Sequence, residues 1–293
     1  MELLSAKPTL PTKPGIFARA LRIAAGFVVI SHVLWIGATS TLVFTYGFVQ
    51  PPVTVLMAYR AWADGWKLER PRPARLRAVP SWLRSMLVSV EDGNFYRHNG
   101  LDFEAVKRAW EQNARLSKPL HGASTLTMQV ARTLFLVPEK SYVRKYLEVL
   151  VVPELELFLG KARILELYFG YAEWGRGIFG IEAAARRYYG KTARELTRDE
   201  GARLVALLSS PIKYRPDNFG RSLILRERYD FLSSRYDQEG KAGGTVEAPS
   251  PAATLPEGGA PELSAPEISL PAAPSVEPRA LQEPDEGSSP PSP

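Results

Sequence analysis

Hydrophobic positions divide the chain before any motif is considered. From Ile23 to Val49 no residue carries a formal charge. A helix over those positions would be about 40 Å long, against a hydrocarbon core of about 30 Å. The pattern predicts one membrane-spanning helix at 23–49. The stretch before it, 1–22, is polar and basic, with Lys7, Lys13, Arg19 and Arg22 against Glu2. That flank places the N-terminus in the cytoplasm. The alternative is a cleaved signal peptide ending near Ala38-Thr39-Ser40, but the apolar run continues to Val49, which favours an uncleaved anchor. Pro51-Pro52 end the run. Residues 53–69 form a short amphipathic segment with Met57, Tyr59, Trp62 and Trp66, suited either to the lipid–water interface or to packing on the next domain. Arg70, Arg72, Arg75 and Arg77, interrupted by Pro71 and Pro73, read as an extended basic connector beside headgroups or as an ordinary linker.

From Pro80 the period is helical. Ser81 to Asp92 is apolar at 82, 83, 86, 87 and 90. Further helices are predicted over Phe103–Leu116, Thr125–Leu136, Ser141–Leu159, Ala162–Tyr168, Gly180–Tyr189 and Thr197–Leu208. No stretch alternates convincingly enough for a strand. After Asp237 the character changes: positions 241–293 hold twelve prolines and no aromatic residue. Such a segment buries too little apolar surface to offset its ordering entropy, so a disordered tail is expected. The resulting division is 1–22 basic N-terminus, 23–49 anchor, 50–78 connector, 79–237 a mainly α domain, and 238–293 tail.

Composition sharpens this. The absence of cysteine excludes disulfides and thiolate chemistry. Three scattered histidines, His32, His98 and His121, make a histidine-based zinc site improbable. The net charge of +6 conceals an asymmetry: the tail from Lys241 holds eight acids against two bases, which leaves +12 on residues 1–240. A basic folded region seeks anionic partners, and the membrane segment favours lipid headgroups and pyrophosphate over nucleic acid.

The stretch Val88–Gly100 concentrates candidate chemistry. Read as a helix, it puts Glu91, Phe95 and His98 on one face, where a carboxylate against an aromatic ring and an imidazole suits a general base. A helix end with a solvated acidic pair is the plainer reading. In the second block, Gly122-Ala-Ser-Thr feeds a helix, offering backbone N–H groups and hydroxyls to an anion, or simply an N-cap at Ser124 or Thr125. Arg132 lies about two turns further on. In the third block Arg144 and Glu148 are spaced i, i+4, and the apolar run after Glu148 sets that carboxylate against a buried surface. The fourth block, Lys161–Lys191, is rich in Gly and Ala and reads as structural, one wall of a cleft.

Taken together, E91-D-x-x-F95-x-x-H98-x-G100 and the three blocks after it resemble, in order and spacing, the peptidoglycan glycosyltransferases. The Y-A-E-W-G at 171–175 is closest to the monofunctional biosynthetic members. The resemblance spans roughly Val79–Pro216 and implies a lysozyme-like helical domain that polymerises lipid II into glycan strands. It implies Glu91 as catalytic base and Glu148 as the second essential carboxylate. It implies substrate contacts by Asp92, Phe95, His98, Ser124, Gln129, Arg132, Lys140, Arg144 and Lys145. Glu148 would either orient the cations or hold a divalent ion, Mg or Mn, with the pyrophosphate. The implied partners are lipid II, the lipid-linked growing chain, the bacterial inner membrane and other cell-wall synthesis proteins. The catalytic domain would lie on the periplasmic side.

The chain departs from the family pattern at Ala123, Met128 and Gly170, and Pro153 should kink its helix. Ser210-Pro-Ile-Lys213 and Lys191-Thr-Ala193 mimic acyltransferase motifs but stand in the wrong order. A strand-cleaving enzyme of related fold and an inactive scaffold are the competing readings.

Overall fold

The computed structural model describes residues 15–69, 72–116 and 124–241. The expectations for residues 1–14, Arg70, His121, Gly122, Ala123 and the tail beyond Lys241 fall outside the described residues.

The described chain is mainly helical. Helix α1 (Ile16–Tyr46) carries the apolar run and presents most of its large side chains, among them Phe27, Leu34 and Phe44, on the exterior. It begins at Ile16 rather than Ile23, so Arg19 and Arg22 belong to its first turns. Its length and composition fit a single membrane-spanning helix. Helix α2 (Val55–Trp62), capped by Thr54, buries Leu56 and Met57 against α5 (Leu126–Phe135). Of the two readings of residues 53–69, packing on the domain is the one observed for this helix.

The main helical domain follows. Helix α3 (Ser81–Glu91) is succeeded by α4 (Phe103–Leu116), α5, α6 (Tyr142–Phe158) and α7 (Gly160–Tyr171). Then come α8 (Ile181–Tyr189), α9 (Arg198–Leu207) and α10 (Leu223–Lys241). Side-chain oxygens of Thr125, Ser141 and Thr197 cap α5, α6 and α9, as N-cap chemistry favours. Helix α5 is central: it packs on α2, α6 and α7, and Leu126, Val130 and Ala131 are almost wholly buried. The core continues through Leu83, Met86 and Leu87 of α3, Val151, Val152 and Leu155 of α6, and Phe169, Trp174 and Phe179.

Helix α6 runs through Pro153 to Phe158, within a residue of the expected bounds. Three features differ from the sequence expectation. A two-stranded antiparallel hairpin, β1 (Glu173–Gly175) with β2 (Ile178–Phe179), follows α7; strands of three and two residues are too short to show alternation. Helix α10 was not anticipated, although Leu225, Tyr229, Leu232 and Tyr236 fall at i, i+4, i+7 and i+11 and face α9 and α3. Finally, α3 stops at Glu91, because Asp92 leaves helical geometry and is followed by Gly93.

The segment joining α1 to α3 is tied down at several points. Arg163 of α7 donates to the Tyr46 and Val49 carbonyls at 2.8 and 2.7 Å. Tyr171 donates to the Pro51 carbonyl at 2.6 Å, and Glu166 accepts from the Leu76 N–H at 2.7 Å. Helix α1 itself packs along α6. Thr39 donates to Glu154 at 3.1 Å, and Tyr146 donates to Nε2 of His32 at 2.9 Å, because the other ring nitrogen gives its proton to the Val28 carbonyl.

Candidate active site

Glu91 sits at the C-terminus of α3 and is largely buried. One of its carboxylate oxygens accepts from Gln129 of α5 at 3.0 Å; the other is paired with Arg228 of α10. Gln129 is itself fixed. Tyr168 of α7 donates to its Oε1 at 3.1 Å, and burial, the largest effect, raises that phenol well above its ordinary value and keeps it a donor. The amide is thereby oriented with its N–H toward Glu91.

Because α3 ends at Glu91, Phe95 and His98 do not share its face. They occupy the turns that follow, and their partner is Asp92. His98 Nδ1 accepts from the Gly100 N–H at 3.0 Å, so its Nε2 proton is given to Asp92 at 2.8 Å. The second Asp92 oxygen accepts from the Leu126 N–H at 2.9 Å. Burial raises the Asp92 carboxyl, opposed by these two bonds. The N-terminus of α5 is therefore met from within by Asp92 and by the Thr125 hydroxyl, which accepts from the Met128 N–H. Two N–H groups at the start of α5, those of Leu126 and Met128, are thus taken by the protein's own side chains. Phe95 is wholly buried, with the Lys161 ammonium 4.6 Å from its ring centre. Gly100, at φ +87°, permits the close approach to α6: a Cβ there would lie 2.4 Å from Val152 Cγ1. Asp92, Phe95 and His98 thus shape the loop after Glu91 and the start of α5.

The cations gather on the other side of Gln129. A cavity of about 360 Å³ is lined by Arg60, Gln129, Arg132, Lys140, Arg144, Tyr168, Glu173 and residues 208–212 among others. Among the described residues Arg132 and Lys140 have no ion-pair partner. Glu148 is 1% exposed; Arg144 is paired with one of its oxygens and Lys145 donates to the other at 3.0 Å. Lys145 does not line this cavity. It turns toward Ser124, donating to its hydroxyl at 3.1 Å, with the Met128 sulfur at 3.8 Å. Burial first, then repulsion from Arg132 and Arg144, lower the Lys145 ammonium to about 8, against the pull of Glu148. A second cavity, of about 310 Å³, lies between Glu91, Asp92, Asn94, Asp102, Arg108 and Ser124. Glu91 borders it, and Gln129 stands between it and the basic cavity.

Arg60, Tyr168, Glu173 and Arg228 join the site without a motif to announce them. Arg60 reaches the basic cavity because Glu173 holds it at 3.1 Å, a pairing across more than a hundred residues that no local pattern reports. The position of Gly170 is covered by Pro73 of the connector, 3.3 Å from where a Cβ would stand.

For a metal, the described residues contain no group of three or more His, Asp or Glu side chains that could hold an ion. Both Glu148 oxygens are engaged by cations. The geometry at Glu148 is that of a carboxylate orienting two cations.

The Transglycosylase family model matches residues 61–233. The chain is 40% identical over 205 residues to the biosynthetic peptidoglycan transglycosylase of Caulobacter vibrioides, covering 70% of this chain and 84% of that protein. It is 37% identical over 199 residues to the protein of that name from Paraburkholderia phytofirmans, covering 65% and 80%. It is 41% identical over 186 residues to that from Pseudomonas putida, covering 62% and 78%.

Proposed function

The chain belongs to the transglycosylase family and is a peptidoglycan glycosyltransferase with a lysozyme-like helical domain; from that premise we propose the following division of labour at its site. The substrates are lipid II as acceptor and a lipid-linked glycan as donor. Glu91 removes the proton from the acceptor's GlcNAc C4 hydroxyl as that oxygen attacks C1 of the donor MurNAc. The C1–O bond to undecaprenyl pyrophosphate breaks, the configuration inverts to a β-1,4 linkage, and the electron pair leaves on the pyrophosphate. The departing group is an anion from the start, so no general acid is needed on that side. What it needs is fixed positive charge, which costs no reorganisation during the step. Arg132, Lys140 and Arg144 supply it, joined by Arg60; Glu148 holds Arg144 and Lys145 in position.

One observation carries this reading: a carboxylate borders one cavity and is joined through a single glutamine to a second, basic one. Cleavage of neutral glycosidic bonds has no use for such a cation cluster. The test is polymerisation of labelled lipid II by the purified protein in detergent, with and without added Mg or Mn. Long strands are expected; cleavage of preformed peptidoglycan without polymerisation would reverse the reading. Localisation follows the same premise: α1 anchors the protein in the bacterial inner membrane, with Arg19 and Arg22 on the cytoplasmic side and the catalytic domain periplasmic.

Lys145 gives this reading a pH signature. Below pH 8 its ammonium is charged and bridges Ser124 to Glu148. Above pH 8 that charge is lost, and kcat/KM for lipid II is expected to fall by about tenfold, the equivalent of one charge-assisted hydrogen bond. A guanidinium remains charged throughout this range. Lys145→Arg should therefore remove the alkaline limb from the kcat/KM profile; an unchanged limb would assign it to another group.

A further inference from the structure

Arg228 lies on α10, beyond all four motif blocks, yet it is the one basic side chain among the described residues that pairs with Glu91. The contact crosses 137 positions of sequence and joins the last helix to the end of α3. Both groups are shielded: Arg228 is 21% exposed and Glu91 12%. The Arg228 Nε is buried with no hydrogen-bond partner, so the guanidinium reaches the site through its Nη2 alone. The groups around Glu91 are otherwise few. Gln129 of α5 holds the second oxygen, Tyr168 of α7 holds Gln129, and Arg132 lies further along α5 in the basic cavity.

The two oxygens of Glu91 are thus held by unlike partners. Gln129 is neutral and pinned by a buried tyrosine. Arg228 is charged and anchored through α10, which packs on α9 and α3. A base must present one oxygen to a hydroxyl in a set direction, and a carboxylate at a helix end, followed by a glycine turn, has no rotamer restraint of its own. We propose that Arg228 is a positioning residue for Glu91, fixing the carboxylate from the side opposite Gln129 so that it faces the acceptor. The inference rests on the reading of Glu91 as the base.

It also separates Arg228 from the cations of the basic cavity. Those touch the donor's pyrophosphate, and their loss should raise KM for lipid substrates. Arg228 does not line that cavity, so its loss should act on turnover.

The experiment compares the full-length parent with Arg228→Ala, Arg228→Lys and Arg132→Ala in lipid II polymerisation, reading kcat and KM separately alongside thermal unfolding. Arg228→Ala is expected to lower kcat by about 10²-fold with KM near the parent's, the cost of about 1 Å of misplacement at a reacting group. Arg228→Lys, which keeps the charge that makes the single contact, should recover to within about tenfold of the parent. Added methylguanidinium should raise the activity of Arg228→Ala and leave Arg228→Lys unmoved. Arg132→Ala should instead raise KM.

A rise in kcat for Arg228→Ala would overturn the proposal, since the pair would then be a lock on the base. Unchanged kcat would overturn it too, as would a loss of activity that neither lysine nor methylguanidinium restores, which marks a purely structural pair. Glu91→Gln separates the two layers. If it retains activity, the base assignment itself is wrong. If it is inactive while Arg228→Ala is unaffected, only the inference about Arg228 fails.

Discussion

Glu91→Gln is expected to lower glycan polymerisation by about 10²–10⁴-fold, the range that a positioned general base contributes. The substitution keeps the side chain's shape and removes its ability to take a proton. The fold should survive it. Gln129 can still hydrogen-bond to the new amide's oxygen, and the pair with Arg228 is lost at a site that keeps some access to water. The check is twofold: rate of strand formation from labelled lipid II, and an unaltered thermal transition. A tenth or more of the parental rate would remove Glu91 from the reaction.

Glu148→Gln should produce a different failure. Here the carboxylate is almost fully buried and balances Arg144 and Lys145 together. Its loss leaves two cations without their counter-charge at the edge of the core. Breaking a buried pair in this way costs about 3–5 kcal/mol; Lys145 is 42% exposed, which places the expectation at the lower end. For a domain of this size that is roughly 6–12 °C in Tm. Activity should fall as well, because Arg144 would no longer be held over the basic cavity. The discriminating result is coupling between stability and activity in Glu148→Gln, against their separation in Glu91→Gln. A variant at 148 with the parental Tm would contradict the ion-pair account.

Legibility differed by level. Long amphipathic helices such as α4, α5 and α9 could be placed to within a residue or two, because caps and apolar spacing agreed. The motif residues could be named, but two of their roles shifted. Phe95 and His98 were read on the Glu91 face by extending a helical period across Gly93, whereas backbone geometry at Asp92 ends the helix there. Asp92, which the family resemblance implies as a substrate contact, holds His98 and the Leu126 N–H and so organises the loop and the start of α5. The contacts of Arg60 and Arg228 were out of reach, since each depends on elements brought together by packing. The apolar stripe of α10 is regular enough to predict that helix from sequence, although it borders the Pro-rich tail.

The attachment of α1 has a bearing on where the reaction takes place. A helix of 31 residues is about 46 Å long, some 16 Å more than the hydrocarbon it would cross. Its last turns carry Thr39 and Tyr46, the residues that Glu154 of α6 and Arg163 of α7 grip. The anchor therefore works as a post rather than a leash. Helix α6 bears both the grip at Glu154 and the pair Arg144–Glu148, which holds a cation over the basic cavity, so one stiff element fixes where that cavity lies relative to the anchor. On the reading proposed above, a lipid-linked pyrophosphate would then meet these cations at a height fixed by the post rather than by a flexible tether.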